Sequence, residues 1–576
     1  LNIPDEIILH TDKMKSSMIK MQFKQTLCCA IIFILPCIGF SQSTLIPFGS
    51  KEYQLIDRLE IKMGKDTILN FSGIKPFSRK QLVTAIEMIN SQDSADPAST
   101  HLTKVDRYNI QGALMDNSEW VTGDKSGFAS RKPFLKLFFK NKAHFFEVDQ
   151  KDFYLAIDPV LQLKAGAENA NSDMLFINTK GIVARGLIAK KVGFYTYVTD
   201  NQERTPFYVR DFVSMFKAVP GAGFFKPFKT TGYDYLDARG YVTFNAAKYI
   251  DFQFGFDKNV LGDGNRSLFM SDFGNSYLFL KLNTRVWRLN YQVLYTELIP
   301  EYESNNGDQV LPRKYMTSHH LTINAPKWLT LGVFDAVVFG RVNHFDFAYL
   351  NPIIFLRPAE SNLGSGDNAI IGFDAKANLL RHLQLYSQIT IDEFKLSEMK
   401  KGGWWGNKYA IQAGAKYIDA FGLKNLDLQG EFNMVRPFTY THTDSVSNWT
   451  HYNQPLAHPL GANFYEAVAI ANYQPAPKWY IQAKLFYSKQ GVDTAGINYG
   501  SNIFLPNTTR PYDYGWYIGA GREVSCVNSF FTLSYEWQPN LYFEGTFQVR
   551  KRTGTPSETI GNVGIRWNIF RREYEF

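Results

Sequence analysis

From about residue 153 to residue 570 the sequence alternates between apolar and polar side chains with a period of two. Ile250, Phe252, Phe254 and Phe256 fall on one side of such a run, and Asp251, Gln253, Gly255 and Asp257 fall on the other. Trp287, Leu289, Tyr291, Val293 and Tyr295 oppose Arg288, Asn290, Gln292 and Thr296, with Leu294 the one exception. Leu383, Leu385, Ile389 and Ile391 oppose Gln384, Gln388, Thr390 and Asp392. A period of two places successive side chains on opposite faces of an extended chain, so each run specifies a strand with one apolar and one polar face. An aromatic content of 15%, with 42 Gly and 24 Pro spread between the runs, excludes disorder, collagen and coiled coil.

The runs predict strands near 153–168, 175–187, 190–202, 238–245, 249–258, 277–284, 287–297, 319–326, 329–340, 369–378, 382–392, 409–421, 426–436, 464–474, 479–489, 526–536, 541–551 and 560–570. The connections alternate in length. Those at 188–189, 246–248, 285–286, 327–328, 379–381, 422–425, 475–478 and 537–540 are short. Those at 203–237, 259–276, 298–318, 341–368, 393–408, 437–463 and 490–525 are long, while 169–174 and 552–559 are modest. An even strand number, short turns on one side and long loops on the other are the pattern of a bacterial outer-membrane barrel. The last run, Asn562–Phe570, sets Val563, Ile565, Trp567 and Ile569 against Gly564, Arg566, Asn568 and Phe570, as a strand between lipid and an aqueous lumen requires. A mean hydropathy of −0.24, and no late apolar run of about 18 residues, exclude a helical membrane domain. The fold class expected is therefore all-β: a transmembrane antiparallel barrel of about 18 strands in the outer membrane of a Gram-negative bacterium, in contact with membrane lipid.

Three stretches lie outside this pattern. Residues 1–41 read as upstream residues and a signal peptide: Lys15, Lys20 and Lys24 precede apolar Leu27–Phe40, which falls short of the roughly 20 residues of a spanning helix. Ile34-Leu-Pro-Cys37 loosely resembles a lipoprotein signal, with Pro36 against it. Residues 42–130 predict a small helical periplasmic region. Ser78 and Gln81 form a capping box, Leu82, Ile86 and Ile89 share a face, and a second helix covers 102–115. The remaining 131–576 is assigned to the barrel and its extracellular or lumen-filling loops, with an extra hairpin expected within 131–150. In the loop at 203–237, Thr205 as cap and Pro206 begin a helix whose face is Tyr208, Phe212, Met215 and Val219. It either folds into the lumen or lies on the surface.

Two segments carry a family resemblance: Val260–Phe273 followed by Tyr277–Leu282, and Tyr349–Pro352 through Arg357-Pro-Ala-Glu360 and Gly366-Asp-Asn368 to Leu385–Phe394. Both resemble the Wzi-type capsule-assembly family, in the branch whose signal peptides end like Phe40-Ser-Gln42. The resemblance implies an 18-stranded, largely occluded outer-membrane barrel that acts as a lectin. Its partner would be surface or capsular polysaccharide, it would carry no enzymatic activity, and other outer-membrane export proteins are possible partners.

Candidate site residues fall into two groups. Asp263, Arg266, Arg357, Glu360, Asp367, Asn368, Asp374, Asp392 and Glu393 come from neighbouring strands and loops. Arg266 or Arg357 can pair with these carboxylates bidentately, either fixing the loops or offering planar polar groups to sugar hydroxyls. Trp404, Trp405, Tyr440, Trp449, Tyr452, Tyr499, Tyr512 and Tyr514 place aromatic faces in the long loops, where sugar rings stack, or form an interfacial girdle. His442, His451 and His458 have no metal-site spacing, and His319-His320 points to opposite faces, so no metal or other cofactor is expected. Lys and Arg form no concentrated segment, which excludes a nucleic-acid binder despite a net charge of +8. Cys526 has no partner after the first 41 residues. The competing classes are a channel for small solutes or oligosaccharides, an outer-membrane enzyme, and a subunit of an export or motility complex.

Overall fold

The computed structural model describes residues 43–66, 68–301, 310–341 and 344–576. The signal-peptide reading lies outside the described residues. Among those described, eighteen antiparallel strands close into a barrel. They are β1 (Phe153–Glu168), β2 (Leu175–Ile188), β3 (Val192–Arg204), β4 (Gly232–Ala247), β5 (Ile250–Asp257), β6 (Tyr277–Val286), β7 (Leu289–Leu298), β8 (Lys314–Asn324), β9 (Leu329–Phe339), β10 (Asn368–Leu379), β11 (Leu383–Glu393), β12 (Lys408–Tyr417), β13 (Leu426–Val435), β14 (Phe464–Ala476), β15 (Trp479–Val492), β16 (Arg522–Gln538), β17 (Leu541–Arg552) and β18 (Glu558–Trp567). Each pairs with its neighbour in sequence, and β18 closes on β1 in the register Ile560↔Glu168 to Trp567↔Leu161.

The wall is inverted relative to a soluble protein. Leu163, Ile182, Val198, Phe254, Phe373, Leu385, Leu485, Phe531, Phe547 and Val563 are exposed on its outside. Gln162, Thr179, Asn201, Gln253, Gln292, Lys376, Gln388, Gln412, Glu431, Asn433 and Glu536 are buried on its inside. Apolar-out, polar-in is the only arrangement that suits a lipid solvent outside and a polar lumen within.

The strand pattern is as the alternation predicts, with shifts at the ends. β4, β8 and β16 begin earlier, at Gly232, Lys314 and Arg522. β12 stops at Tyr417 because Asp419 turns left-handed into a short turn. β18 stops at Trp567, not 570. Asn568 is left-handed (φ 52°), its side chain donates to the Pro159 carbonyl at 2.9 Å, and residues 569–576 turn into the lumen. The expected hairpin within 131–150 is different: Phe146–Gln150 pairs with the foot of β1, in the register Phe146↔Ile157 to Gln150↔Phe153.

At the short-turn end sit α1 (Lys51–Met63), α2 (Arg79–Ala95) and α3 (Lys104–Asp116). Ser78 caps α2 by accepting from the Gln81 amide at 3.4 Å, and a full capping box between Thr103 and Asp106 starts α3. Leu55, Leu59, Phe77, Leu82, Ile86, Ile89, Ile110 and Leu114 form one apolar core among them. α1 is not evident from periodicity alone, because its charged side chains are buried too. Arg58 binds Asp106 at 2.8 Å, Asp419 at 3.1 Å and Asp427. Glu60 meets Lys376 of β10 at 2.8 Å, and Lys51 meets Glu536 of β16 at 2.8 Å. The helical cluster is thus ion-paired to the inside of the barrel around much of its circumference.

Removing one member of a buried ionic cluster leaves the others uncompensated, at a cost of about 3–5 kcal/mol. Arg58→Ala is expected to undock the helices while the barrel persists, seen as an early helical transition in circular dichroism and as proteolysis within 43–116.

Candidate functional site

The lumen is filled by the chain itself. Segment 258–276, the loop after β5, turns inward and runs through it. Val260–Leu261 pairs with Ile74–Lys75 from the helical end, and the Gly262 amide donates to the Gly73 carbonyl at 2.8 Å. Gly262 (φ 135°) lies so near the wall that an added Cβ would stand 2.7 Å from Gln388 Nε2. Wall side chains then take up the segment's backbone. Glu431 accepts from the Asn265 amide at 2.8 Å and the Arg266 amide at 3.1 Å, Gln388 from the Leu268 amide at 2.8 Å, and Gln412 donates to the Arg266 carbonyl at 3.1 Å.

The predicted charged residues separate into five places rather than one. Asp263 pairs with Lys376 at 2.9 Å, beside Glu60 of α1. Arg266 is the bidentate residue foreseen, but its partner is Glu466 of β14, at 3.0 and 3.2 Å, with Glu575 at 3.2 Å. Asp392 pairs with Lys408 at 3.1 Å and accepts from the Tyr440 amide at 2.8 Å, with Glu393 at 3.2 Å from the same lysine. Asp374 meets His320 inside the wall at 2.7 Å. Arg357, Glu360 and Asp367 belong to a segment on the outside of the barrel. Arg357 pairs with Glu360 at 3.0 Å, and Asp367 takes its bidentate partner from Arg341, both contacts 2.7 Å, not from Arg266 or Arg357. Asn368 donates to the Ser447 carbonyl at 2.9 Å.

The long-loop end is capped by three elements. α4 (Phe207–Phe216) lies over the lumen mouth. Its buried residues are Tyr208, Val209 and Val213; of the predicted face, Tyr208 and Val219 are buried, Phe212 is half-buried and Met215 is exposed. The Thr205 hydroxyl is not its cap; Glu168 accepts from the Phe207 amide at 2.9 Å instead. Segment 568–576 rises inside the barrel. Glu573 and Glu575 each bind Lys484 at 2.6 Å, the Tyr574 hydroxyl donates to Glu203 at 2.9 Å, and Phe576 packs on Tyr208, Phe212 and Phe273. Loop 436–463 supplies the third. Trp449 and Tyr440 are fully buried there, donating to the Phe269 and Leu268 carbonyls at 2.9 and 2.8 Å, and Tyr452 is buried beside them with its amide on the Ile299 carbonyl at 2.9 Å. Trp449 and Tyr452 therefore have no free ring face for a sugar. Cavities remain within, among them one of about 330 Å³ beside Lys258, Arg266 and segment 570–576, and one of about 140 Å³ beside Arg79, Arg185 and Arg239.

Exposed aromatic faces gather elsewhere on the rim. Loops 394–407 and 493–521 join through the Trp405 amide on Asp513 O at 2.9 Å and the Trp516 amide on Gly403 O at 2.9 Å. Trp404 and Trp405 stand 5.9 Å apart, and Arg510 lies 3.8 Å over the Trp405 ring. Tyr512 stacks at 4.4 Å on buried Trp516, and Tyr514 donates to Glu398 at 3.0 Å. Tyr512, Tyr514 and Tyr517 remain open to solvent, Tyr517 by 64%. Lys395 and Lys401 flank them. Tyr517, Trp516 and Arg510 are missing from the residues proposed on sequence grounds, although the run Tyr512–Tyr517 marks the spot. Rigid, half-exposed rings among charged and amide groups suit an apolar sugar face with hydroxyls at its edge.

No family model matches the sequence, and no curated protein matches it. Among solved structures, the fold is similar to that of Wzi of Escherichia coli, an outer-membrane protein involved in group 1 capsule assembly and described as a carbohydrate-binding β-barrel. The two are 12% identical, with 90% of this chain and 98% of that chain covered and a TM-score of 0.53. OprD of Pseudomonas aeruginosa (11% identity, 72% and 94% covered, TM-score 0.39) and OccAB4 of Acinetobacter baumannii (9%, 73% and 98%, 0.39) are more remote. The class defined by the fold is an eighteen-stranded β-barrel of the outer-membrane type, with a lumen filled by its own chain. At these identities the likeness to Wzi is one of fold.

Three histidines of loop 436–463 give this cap a pH dependence. Burial lowers the pKa of His442 and His458, and that of His451 from 6.5 to about 3. Neutral His451 accepts the Ile299 amide at 3.0 Å and contacts the Ser276 carbonyl at 3.1 Å. A released loop binds protons below its ordinary pKa and the docked loop does not, so docking weakens as pH falls from about 6.5 towards 3. Hydrogen exchange across 440–458, corrected for its intrinsic pH dependence, is expected to rise over that window, and His451→Gln to flatten the rise.

Proposed function

We propose that the protein lies in the outer membrane of a Gram-negative cell, helices facing the periplasm, and that its long-loop end binds or organises exported surface polysaccharide without enzymatic chemistry. The observation that carries this reading is the open aromatic cluster of Tyr512, Tyr514 and Tyr517 beside the partly exposed Trp404, held by two interlocked loops on the outer rim. The filled lumen favours a binding protein over a channel, since an unfilled barrel of this strand number encloses water. The fold shared with Wzi, described as carbohydrate-binding, agrees with it. The polysaccharide is the partner proposed, with membrane lipid around the wall.

The test is binding of the folded protein to the surface polysaccharide of its own source cells, with single-channel conductance read on the same preparation. Saturable binding with little conductance is expected. Tyr512→Ala and Tyr517→Ala are each expected to weaken binding by about fivefold, the effect of losing roughly 1 kcal/mol of ring contact, without lowering the melting temperature. Trp449→Ala is expected to act oppositely, destabilising the cap by about 3–5 kcal/mol. An open pore without binding would make the protein a channel.

A further inference from the structure

One sector of the outer wall breaks the rule that outward side chains are apolar. On β8 and β9 the outward positions include His319 and Asp335, which face each other in register and approach to 3.4 Å. Their outward direction follows from their neighbours: Leu321 and Leu331 of the same face are exposed, while His320 and Phe334 point into the lumen core. His319 is equidistant from the two ends of β8, about five residues or roughly 17 Å along a tilted strand from either. An apolar band about 25 Å tall covers that height in a barrel of this kind. A buried carboxylate and imidazole at mid-wall need a reason.

The reason is a segment of the same chain. From the long-loop end, residues 344–356 descend the outside of the barrel and α5 (Leu356–Asn362) climbs back. Tyr349 packs on Phe339 at 4.7 Å near the rim. Lower down, the Tyr295 hydroxyl donates to the Leu350 carbonyl at 2.8 Å, the Tyr291 hydroxyl to the Pro352 carbonyl, and Asp335 accepts from the Leu356 amide at 2.7 Å. Irregular backbone at membrane depth is tolerated only when its polar groups find protein partners, and these wall side chains are such partners. The other face of the segment leaves large apolar side chains uncovered, Phe347 by 85%, Ile353 by 85% and Phe355 by 63%, and the polar Asn351 and Arg357 are exposed beside them, Arg357 paired with Glu360 at 3.0 Å. Leu321, Leu331 and Phe373 of the adjoining wall are exposed likewise, so Ile353 and Phe355 continue the same apolar band.

We infer that residues 346–362 form a re-entrant strap inside the bilayer, pinned to the wall by Tyr291, Tyr295 and Asp335, which presents Ile353 and Phe355 to lipid acyl chains. The strap is an intramembrane contact surface and not an extracellular loop. The inference rests on the barrel spanning a bilayer, and the test separates the two.

In a variant whose four native cysteines are serine, single cysteines replace Ile353, Phe355, Val563 on the wall, or Thr494 in a rim loop. Each is labelled with an environment-sensitive fluorophore and folded into phosphatidylcholine liposomes carrying nitroxides along their acyl chains. Labels at 353 and 355 are expected to show blue-shifted emission and severalfold stronger quenching than at 494, matching 563. Quenching at 563 with 353 and 355 behaving like 494 overturns the strap and leaves the membrane barrel standing. No quenching at 563 overturns the membrane reading itself, and the strap with it.

Discussion

Polar groups on the inside of a wide barrel have two possible partners, water or protein, and in this molecule many of them take protein. Glu431, Gln388 and Gln412 spend their hydrogen-bonding capacity on the backbone of segment 258–276. Lys376, Asp427 and Glu536 do so on the charged face of α1, and Lys484 and Glu203 on segment 568–576. A polar lumen of this kind is a template for irregular chain, because it supplies the donors and acceptors that such chain lacks internally. The helices from one end, the capping loops from the other and the strut between them are all held by that single constraint.

The outer wall uses the same device in reverse. Tyr291, Tyr295 and Asp335 are polar groups on a surface otherwise suited to lipid, and each is matched to a backbone group of one descending segment. Inside and outside, the positions that depart from the strand's alternation are those where other chain docks. Leu294, the exception to the alternation of β7, belongs to the same logic: it faces inward, fully buried in the apolar core that segment 268–270 forms with Phe334 and Trp449.

Legibility in the sequence varied with how local the cause was. The eighteen strands were readable, since side-chain period and turn length are local properties. α2 was readable from its cap and stripe and a helix was predicted over α3, but α1 was not, because Arg58, Glu60 and Lys62 look like a solvated face until their partners Asp427, Lys376 and Asp419, more than 300 residues away, are known. The residues proposed for the site did not come together in one place. Arg266 was correctly suspected of bidentate pairing, but Glu466 was not foreseen as its partner. Trp449, which on sequence was equally a sugar-stacking ring or a structural one, is buried, while Tyr517, a few residues from Tyr514, is exposed.

By itself the sequence determined an antiparallel barrel with an apolar exterior, because a two-residue period and alternating loop lengths leave few other ways to satisfy every strand edge. Only the tertiary structure decided which loops enter the lumen, which cap it, and which one runs down the outer wall. Those choices depend on pairs such as Arg266–Glu466, Arg58–Asp427 and Asp335–Leu356. The members of the first two pairs are hundreds of residues apart and meet only when the sheet closes, those of the third are 21 residues apart, and none has a periodicity to reveal it.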